Sequence, residues 1–267
     1  MNILITNDDG YMSKGLRSLV SCMRQFGNIS VIAPKKPQSG QSMAVSLGFR
    51  QIAYKEIESI DGVSWAYLDA TPASCVKFGI NFGMNRDGVR PDVVISGINH
   101  GSNACTAACY SGTLGAVQEA TLNGIPGIGV SLDTYNPDAD FTAVEAIFPE
   151  MFRKLMASPA PDYGVFYNIN FPELPAAHIK GIRVGHMGRG HWEREFRPWD
   201  AVRGGEAQAE PGEEVFVMVG DFTDEPENDG LSDHRLLAGG YITLTAHNIM
   251  TTDNSETLRL RSIGIEK

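Results

Sequence analysis

Asp8 and Asp9 are adjacent acids in a turn, Asn7-Asp8-Asp9-Gly10, that directly follows the strand-like run Asn2-Ile3-Leu4-Ile5-Thr6. Taken alone, such a pair caps a helix or faces water. At the carboxyl end of a buried strand it gains another use, because open α/β sheets bind their ligands there. Further on, Ala33-Pro34 leads into Gln38-Ser39-Gly40-Gln41-Ser42, where Gly40 lets backbone approach a ligand and Ser39 offers a hydroxyl oxygen. A third loop, Gly97-Ile98-Asn99-His100-Gly101-Ser102-Asn103, follows the run Asp92 to Ser96 and adds two amides. Carboxylates, an amide oxygen and a hydroxyl make an all-oxygen set, which suits one hard divalent cation, Mg²⁺ or Mn²⁺, better than zinc.

Tyr110-Ser111-Gly112-Thr113 supplies a fourth part. It opens a predicted helix whose first N–H groups lack intrahelical partners and suit an anion, and Ser111 and Thr113 add hydroxyls. By themselves these residues read as an ordinary helix cap. Beside a cation site they imply phosphoryl chemistry.

For these loops to meet, the runs before them must lie side by side. Asn2 to Thr6, Ile29 to Pro34, Asp92 to Ser96, Ile125 to Ser131 and Val165 to Phe171 are nearly continuously apolar, as strands buried on both faces are. Helical patterns alternate with them. Ser13 to Phe26 spaces Leu16, Leu19, Val20 and Met23 on one face with Ser13 as N-cap; further helices run from Ser111 to Asn123, ended by Gly124, and from about Asp138 to Ala157. The alternation predicts an α/β fold, a Rossmann-like three-layer domain with a mostly parallel sheet over residues 1–180. From Glu173 to about Asp233 the text turns rich in Gly, Pro and acids, with alternating Glu214-Val215-Phe216-Val217-Met218-Val219, and reads as a β-hairpin appendage. Gly239 to Thr245 returns to strand, so residues 181–267 form a β-rich C-terminal unit, and Ser255 to Lys267 reads poorly as a helix.

Composition narrows the setting. A formal charge of −10 argues against a large nucleic-acid partner, which draws on clustered Lys and Arg. No run of apolar residues is long enough for a membrane span, and the strand-like Asn2 to Thr6 opens the sequence, so a soluble protein without a cleaved signal is expected. Cys22, Cys75, Cys105 and Cys109 have neither Cys-x-x-Cys nor zinc-type His spacing, and are expected to be reduced and mostly buried in a cytoplasmic protein.

Thr6-Asn7-Asp8-Asp9-Gly10, Ala33-Pro34 with Ser39-Gly40-x-Ser42, Ser96-Gly97-Ile98-Asn99-x-Gly101-x-Asn103 and Tyr110-Ser111-Gly112-Thr113 together resemble the signature blocks of the stationary-phase survival protein SurE family. Thr71-Pro72-Ala73-x-Cys75-Val76 and Asn168-Ile169-Asn170-Phe171-Pro172 resemble two more, in the same order, over about residues 1–190. The resemblance implies a divalent metal on Asp8, Asp9, Ser39 and Asn99. It also implies phosphatase activity on nucleoside 5′- and 3′-monophosphates, as a 5′-nucleotidase, and a homodimer or homotetramer that exchanges a hairpin or C-terminal segment. The candidate site then comprises catalytic Asp8 and Asp9 and, around the phosphate, Asn7, Gly40, Asn103, Ser111, Gly112 and Thr113. The chain departs from the family at Ala70, at Ser74, over Asn103 to Cys109, and at Thr245-Ala246-His247-Asn248, where Thr-Pro-Leu is usual.

The mechanism this predicts is in-line attack of an activated water on phosphorus, with Asp8 or Asp9 taking its proton. Direct attack by an aspartate is the competing route, although enzymes that use it carry Asp-x-Asp and not a contiguous pair. His100 is expected to face solvent, with general-acid assistance as the alternative; His186 and His191 are expected to line a loop. Trp192, Phe196 and Trp199 read as one aromatic cluster that packs appendage on core or offers a base a platform. A nucleotide sensor without turnover, and a phosphatase of sugar phosphates or polyphosphate, are the rival functions.

Overall fold

The structure, a computed structural model, describes residues 1–48, 50–60, 62–205 and 208–265. In chain order the elements are β1 (Asn2–Thr6), α1 (Lys14–Met23), β2 (Asn28–Pro34), β3 (Tyr54–Ile60), β4 (Val63–Leu68), α2 (Pro72–Phe78), β5 (Val93–His100), α3 (Ala107–Tyr110), α4 (Gly112–Leu122), β6 (Gly127–Asp133), α5 (Thr142–Ala157) and β7 (Val165–Pro172). Then come β8 (Ile182–Gly185), β9 (Gly190–Glu193), β10 (Phe196–Pro198), α6 (Trp199–Val202), β11 (Phe216–Met218), β12 (Asp221–Asp224), α7 (Asp233–Ala238), β13 (Ile242–Asn248) and α8 (Asn254–Ser262).

Nine strands form one sheet in the order β3-β4-β2-β1-β5-β6-β7-β13-β8, parallel from β4 through β7. Ile3, Leu4 and Ile5 of β1 are fully buried at its middle, which explains their unbroken apolar run. One face is covered by α1 and α5, whose Leu16, Leu19, Val20, Val144, Phe148 and Phe152 share a core with Ile3, Ile5, Val31 and Ile95. On the other, Cys75 and Val76 of α2 and Ala116 and Ala120 of α4 pack on Leu4, Ile32 and Val94. From β1 the chain moves outward through β2 on one side and later through β5 and β6 on the other. The crevice between the carboxyl ends of β1 and β5 is therefore the switch point of the sheet, the place such folds reserve for ligands.

Three local features differ from the sequence expectation. β5 runs on through Asn99 and His100, where the sequence predicts a loop: the ladder to β6 slips between Ser96 and Asn99 and resumes opposite Ser131. The slip is a bulge at Gly97, whose φ of 142° and whose Cα, so near Val130 that a Cβ would lie 2.2 Å from its carbonyl oxygen, exclude a side chain. The antiparallel β3–β4 edge was not anticipated, because Tyr54-Lys-Glu-Ile-Glu carries the charges of an edge strand and no apolar run. Asn254–Ser262 is helical although it read poorly as a helix; Asp253 caps it by accepting from Glu256 N at 2.9 Å and Glu256 pairs with Arg259, so local bonds and not a buried stripe define it. Residues 266–267 of that stretch lie outside the described residues.

The expected hairpin is an arm in which β9 pairs with β12 and β10 with β11, both antiparallel, while β13 returns into the main sheet between β7 and β8. Among the described residues no helix is long and apolar enough to cross a membrane.

Candidate active site

The loops after β1, β2 and β5 and the first turn of α4 converge on one cleft of about 460 Å³, lined by Asp8, Ser39, Gly40, Asn99, Asn103 and Ser111. Asp8 ties them together. Its Oδ1 accepts from Thr113 Oγ1 at 2.7 Å, and its backbone carbonyl accepts from Gln38 N at 2.7 Å. Ser42 closes the ring, donating through N to Tyr110 O and through Oγ to Cys109 O, each at 2.9 Å.

Thr113 and Ser111 are thus committed partly to the framework. The Thr113 hydroxyl holds Asp8, and Ser111 Oγ caps α4 by accepting from Leu114 N at 3.0 Å, a bond that does not use the hydroxyl hydrogen. Gly112 lies against Asp8, and Asn7 is turned from the cleft into its own turn, donating through Nδ2 to Gly10 O at 3.0 Å and to Ser13 Oγ at 2.7 Å. Asn103 sits in an amide network: it donates through Nδ2 to Ser131 Oγ (2.9 Å), its N–H reaches Asn170 Oδ1 (2.7 Å) and its carbonyl accepts from Asn168 Nδ2 (2.8 Å). Asn168 and Asn170 were given no role from sequence. Their signal is two amides at alternate positions of a strand that is otherwise apolar.

Asp9 faces His100, which does not point to solvent as expected. Its backbone N donates to Asp9 Oδ2 at 3.2 Å, its Nδ1 lies 3.4 Å from the same oxygen, its ring packs edge-on against Phe141, and its Nε2 is buried with no partner among the described residues. His186 and His191 are exposed and pair with Asp229 and Glu225 at the arm's base, away from the cleft. The aromatic cluster splits. Trp192 lines the cleft with its ring 6.3 Å from that of Tyr110, whereas Phe196 is 69% exposed and Trp199 borders a separate hollow with Val215 and Phe216. Tyr135, from the loop after β6, also borders the cleft, and nothing in its sequence context marked it.

Electrostatics set the character of the site. Burial, then the charge of Asp9, pushes the Asp8 carboxyl up to about 7 against the hydrogen bonds from Thr113; burial also raises Asp9, opposed by His100. No Lys or Arg among the described residues pairs with either acid. Asn99 Nδ2 is held by Gly101 O at 2.7 Å while its Oδ1 takes no hydrogen bond from the described residues. Two carboxylates with no Lys or Arg against them, an amide oxygen unpaired among the described residues and a serine are a donor set that a hard divalent cation fits.

A carboxyl raised from 3.8 to about 7 binds its proton more tightly folded than unfolded, so its contribution is fully present below pH 3.8 and is lost as pH rises to about 7. A shift of that size is on the order of 4 kcal/mol. Chelated protein is therefore expected to melt at lower temperature at about pH 8 than at about pH 5, and Mn²⁺ to raise the melting temperature more at the higher pH. The same pair of melts on Asp8→Asn should lose most of that difference; an identical slope in both proteins would contradict the assignment.

The pattern that defines the family described as Survival protein SurE matches residues 3–194. The chain belongs to the SurE family. Relatives include the 5′-nucleotidase SurE of Bacteroides fragilis, 36% identical over 91% of this chain and 89% of that one, and that of Cytophaga hutchinsonii, 34% identical over 93% of each. The SurE protein of Aquifex aeolicus has the same fold across 98% of this chain and 99% of its own, with a TM-score of 0.78 and 25% identity. The family match ends at residue 194, inside the arm, although the full-length relatives align beyond it.

Proposed function

We propose that this SurE-family chain is a metal-dependent phosphomonoesterase that hydrolyses nucleoside 5′- and 3′-monophosphates to nucleoside and phosphate. The observation that carries the reading is the buried Asp8 carboxylate, with no Lys or Arg against it, in one cleft with Ser39 and the unpaired Asn99 Oδ1 beside the first turn of α4, and Asp9 next to it in the same turn. Asp8, Asp9, Ser39 and Asn99 would hold one Mg²⁺ or Mn²⁺ ion. When bound, that ion supplies neutralisation of phosphoryl charge and acidification of a water.

The chain's own residues do the rest. Ser111 and the first N–H of α4, at Gly112, with Asn103 and Gly40, cradle the phosphate. Asp8, fixed by Thr113, and Asp9, fixed by His100, provide the carboxylate oxygens that take the proton of the attacking water. Tyr110 and Trp192 flank the outer cleft and offer a base an aromatic surface. Four cysteines without disulfides suit a reducing cytosol.

If Trp192 stacks on the base, Trp192→Ala should raise KM for nucleoside monophosphates by roughly tenfold, the scale of one stacking contact, and leave KM for para-nitrophenyl phosphate nearly unchanged. Equal changes on both substrates would assign Trp192 to packing alone. The function itself is tested by phosphate release from a panel of nucleoside 5′- and 3′-monophosphates, sugar phosphates and tripolyphosphate, with Mn²⁺ or Mg²⁺ and after chelation. Nucleoside monophosphates should lead the ranking; binding without turnover would make the protein a sensor, and a lead for sugar phosphates or tripolyphosphate would move the substrate class.

A further inference from the structure

Asp233 is fully buried, and no Lys or Arg among the described residues pairs with it. Its carboxylate is held instead by backbone N–H groups, from two remote segments and from its own neighbour. Cys105 N donates to Oδ1 at 3.0 Å and to Oδ2 at 3.1 Å, Gly188 N donates to Oδ1 at 3.1 Å, and His234 N donates to Oδ1 at 2.9 Å. A buried carboxylate whose hydrogen bonds all come from main-chain donors, with the His234 ring Nδ1 3.7 Å from Oδ1, fixes those donors in place, since losing one leaves a polar group unpaired in a dry environment.

The segments so joined carry the two ends of the cleft. Cys105 lies two positions after Asn103, on a loop whose backbone is bent tightly enough to put Cys105 at φ 55°, where a non-glycine residue needs outside support. Gly188 opens the arm that leads to Trp192. The loop and the arm are stitched a second time, by Thr106 Oγ1 donating to Gly190 O at 2.8 Å. His234, next to Asp233, packs edge-on against Phe222 at 5.6 Å, and Phe222 against Trp192 at 5.3 Å, so the arm's aromatic wall rests on the same support.

We infer that Asp233 is a positioning residue that clamps the loop carrying Asn103 to the arm carrying Trp192. The clamp holds phosphate end and base end at the spacing a nucleotide requires. This rests on the nucleotidase reading, and it adds that substrates spanning both ends depend on Asp233 while substrates confined to the phosphate end do not. Asn103 keeps its bonds to Ser131, Asn168 and Asn170 without the clamp, so the phosphate end survives its loss.

Asp233→Asn replaces one acceptor oxygen with a donor against N–H groups already pointing at it. Measured well below its melting temperature, the variant should raise KM for a nucleoside 5′-monophosphate by roughly tenfold and leave kcat and KM for para-nitrophenyl phosphate within about twofold of wild type. Deuterium uptake over residues 186–193 should rise at the same time. Thr106→Val, which removes only the second stitch, should move the nucleotide KM the same way by roughly threefold, and decides the question if Asp233→Asn does not fold. Losses in equal proportion on both substrates, or unchanged uptake over the arm, would overturn the clamp. A wild-type enzyme inactive on both substrates would instead overturn the nucleotidase reading beneath it.

Discussion

Asp8→Asn is expected to lower kcat for nucleoside 5′-monophosphates by roughly 10³-fold, to weaken Mn²⁺ binding, and to raise the melting temperature of the metal-free protein near neutral pH. The opposite signs make this combination informative. Asn keeps the shape of Asp8 and can still accept from Thr113 Oγ1, so the ring of loops around it has no reason to fall apart. What disappears is a charge whose burial, together with Asp9, pushes the carboxyl up to about 7. Removing that charge relieves the metal-free fold while taking away a cation ligand and a proton acceptor. A variant that merely damaged the fold would lose activity and stability together. Wild-type turnover in Asp8→Asn would remove Asp8 from the chemistry altogether.

Gly112→Ala is expected to be the second most damaging change, lowering kcat by about 10²-fold. Alanine is the better helix former by about 1 kcal/mol, so propensity alone predicts a stabilised α4. The packing decides otherwise. A Cβ on Gly112 would lie 3.0 Å from both Cβ and Oδ2 of Asp8 and 3.1 Å from Gln38 O, tighter than ordinary contact on two sides. Because the Gln38 carbonyl belongs to a loop bonded through Gln38 N to the Asp8 backbone, the strain is relieved most cheaply by turning the Asp8 carboxylate. Steady-state kinetics with a Mn²⁺ titration checks this: reduced kcat with a weakened metal dependence fits, and near-wild-type kinetics would show that the carboxylate has more room than its neighbours allow.

Much of this arrangement was legible in the sequence because buried parallel strands announce themselves. Ile3-Leu4-Ile5 and Val93-Val94-Ile95 sit where the apolar runs put them, and Ser13 and Ser111 cap α1 and α4 as their positions before the helical patterns predicted. The convergence of Asp8, Ser39 and Asn99 followed from the rule that loops leave such sheets on one edge. Orientation was not legible. Whether the Thr113 hydroxyl meets a phosphate or Asp8, and whether His100 meets water or Asp9, turns on side-chain directions that spacing does not encode. The arm was harder still: Trp192 and Trp199 look equivalent seven positions apart on a Gly- and acid-rich stretch, yet Trp192, held in β9 against β12, lines the cleft while Trp199, opening α6, lines a separate hollow. Asp233 gave no signal beyond an acid opening a short helix, because the segments it joins, at Cys105 and Gly188, are more than forty residues away.

The most direct test of the account is phosphate release from a nucleoside 5′-monophosphate by the purified chain, followed with Mn²⁺ present, after chelation, and after Mn²⁺ is restored, alongside Asp8→Asn. Turnover that vanishes on chelation, returns with the ion and is nearly absent in the variant is the predicted result; turnover that ignores both the chelator and the substitution would contradict the site.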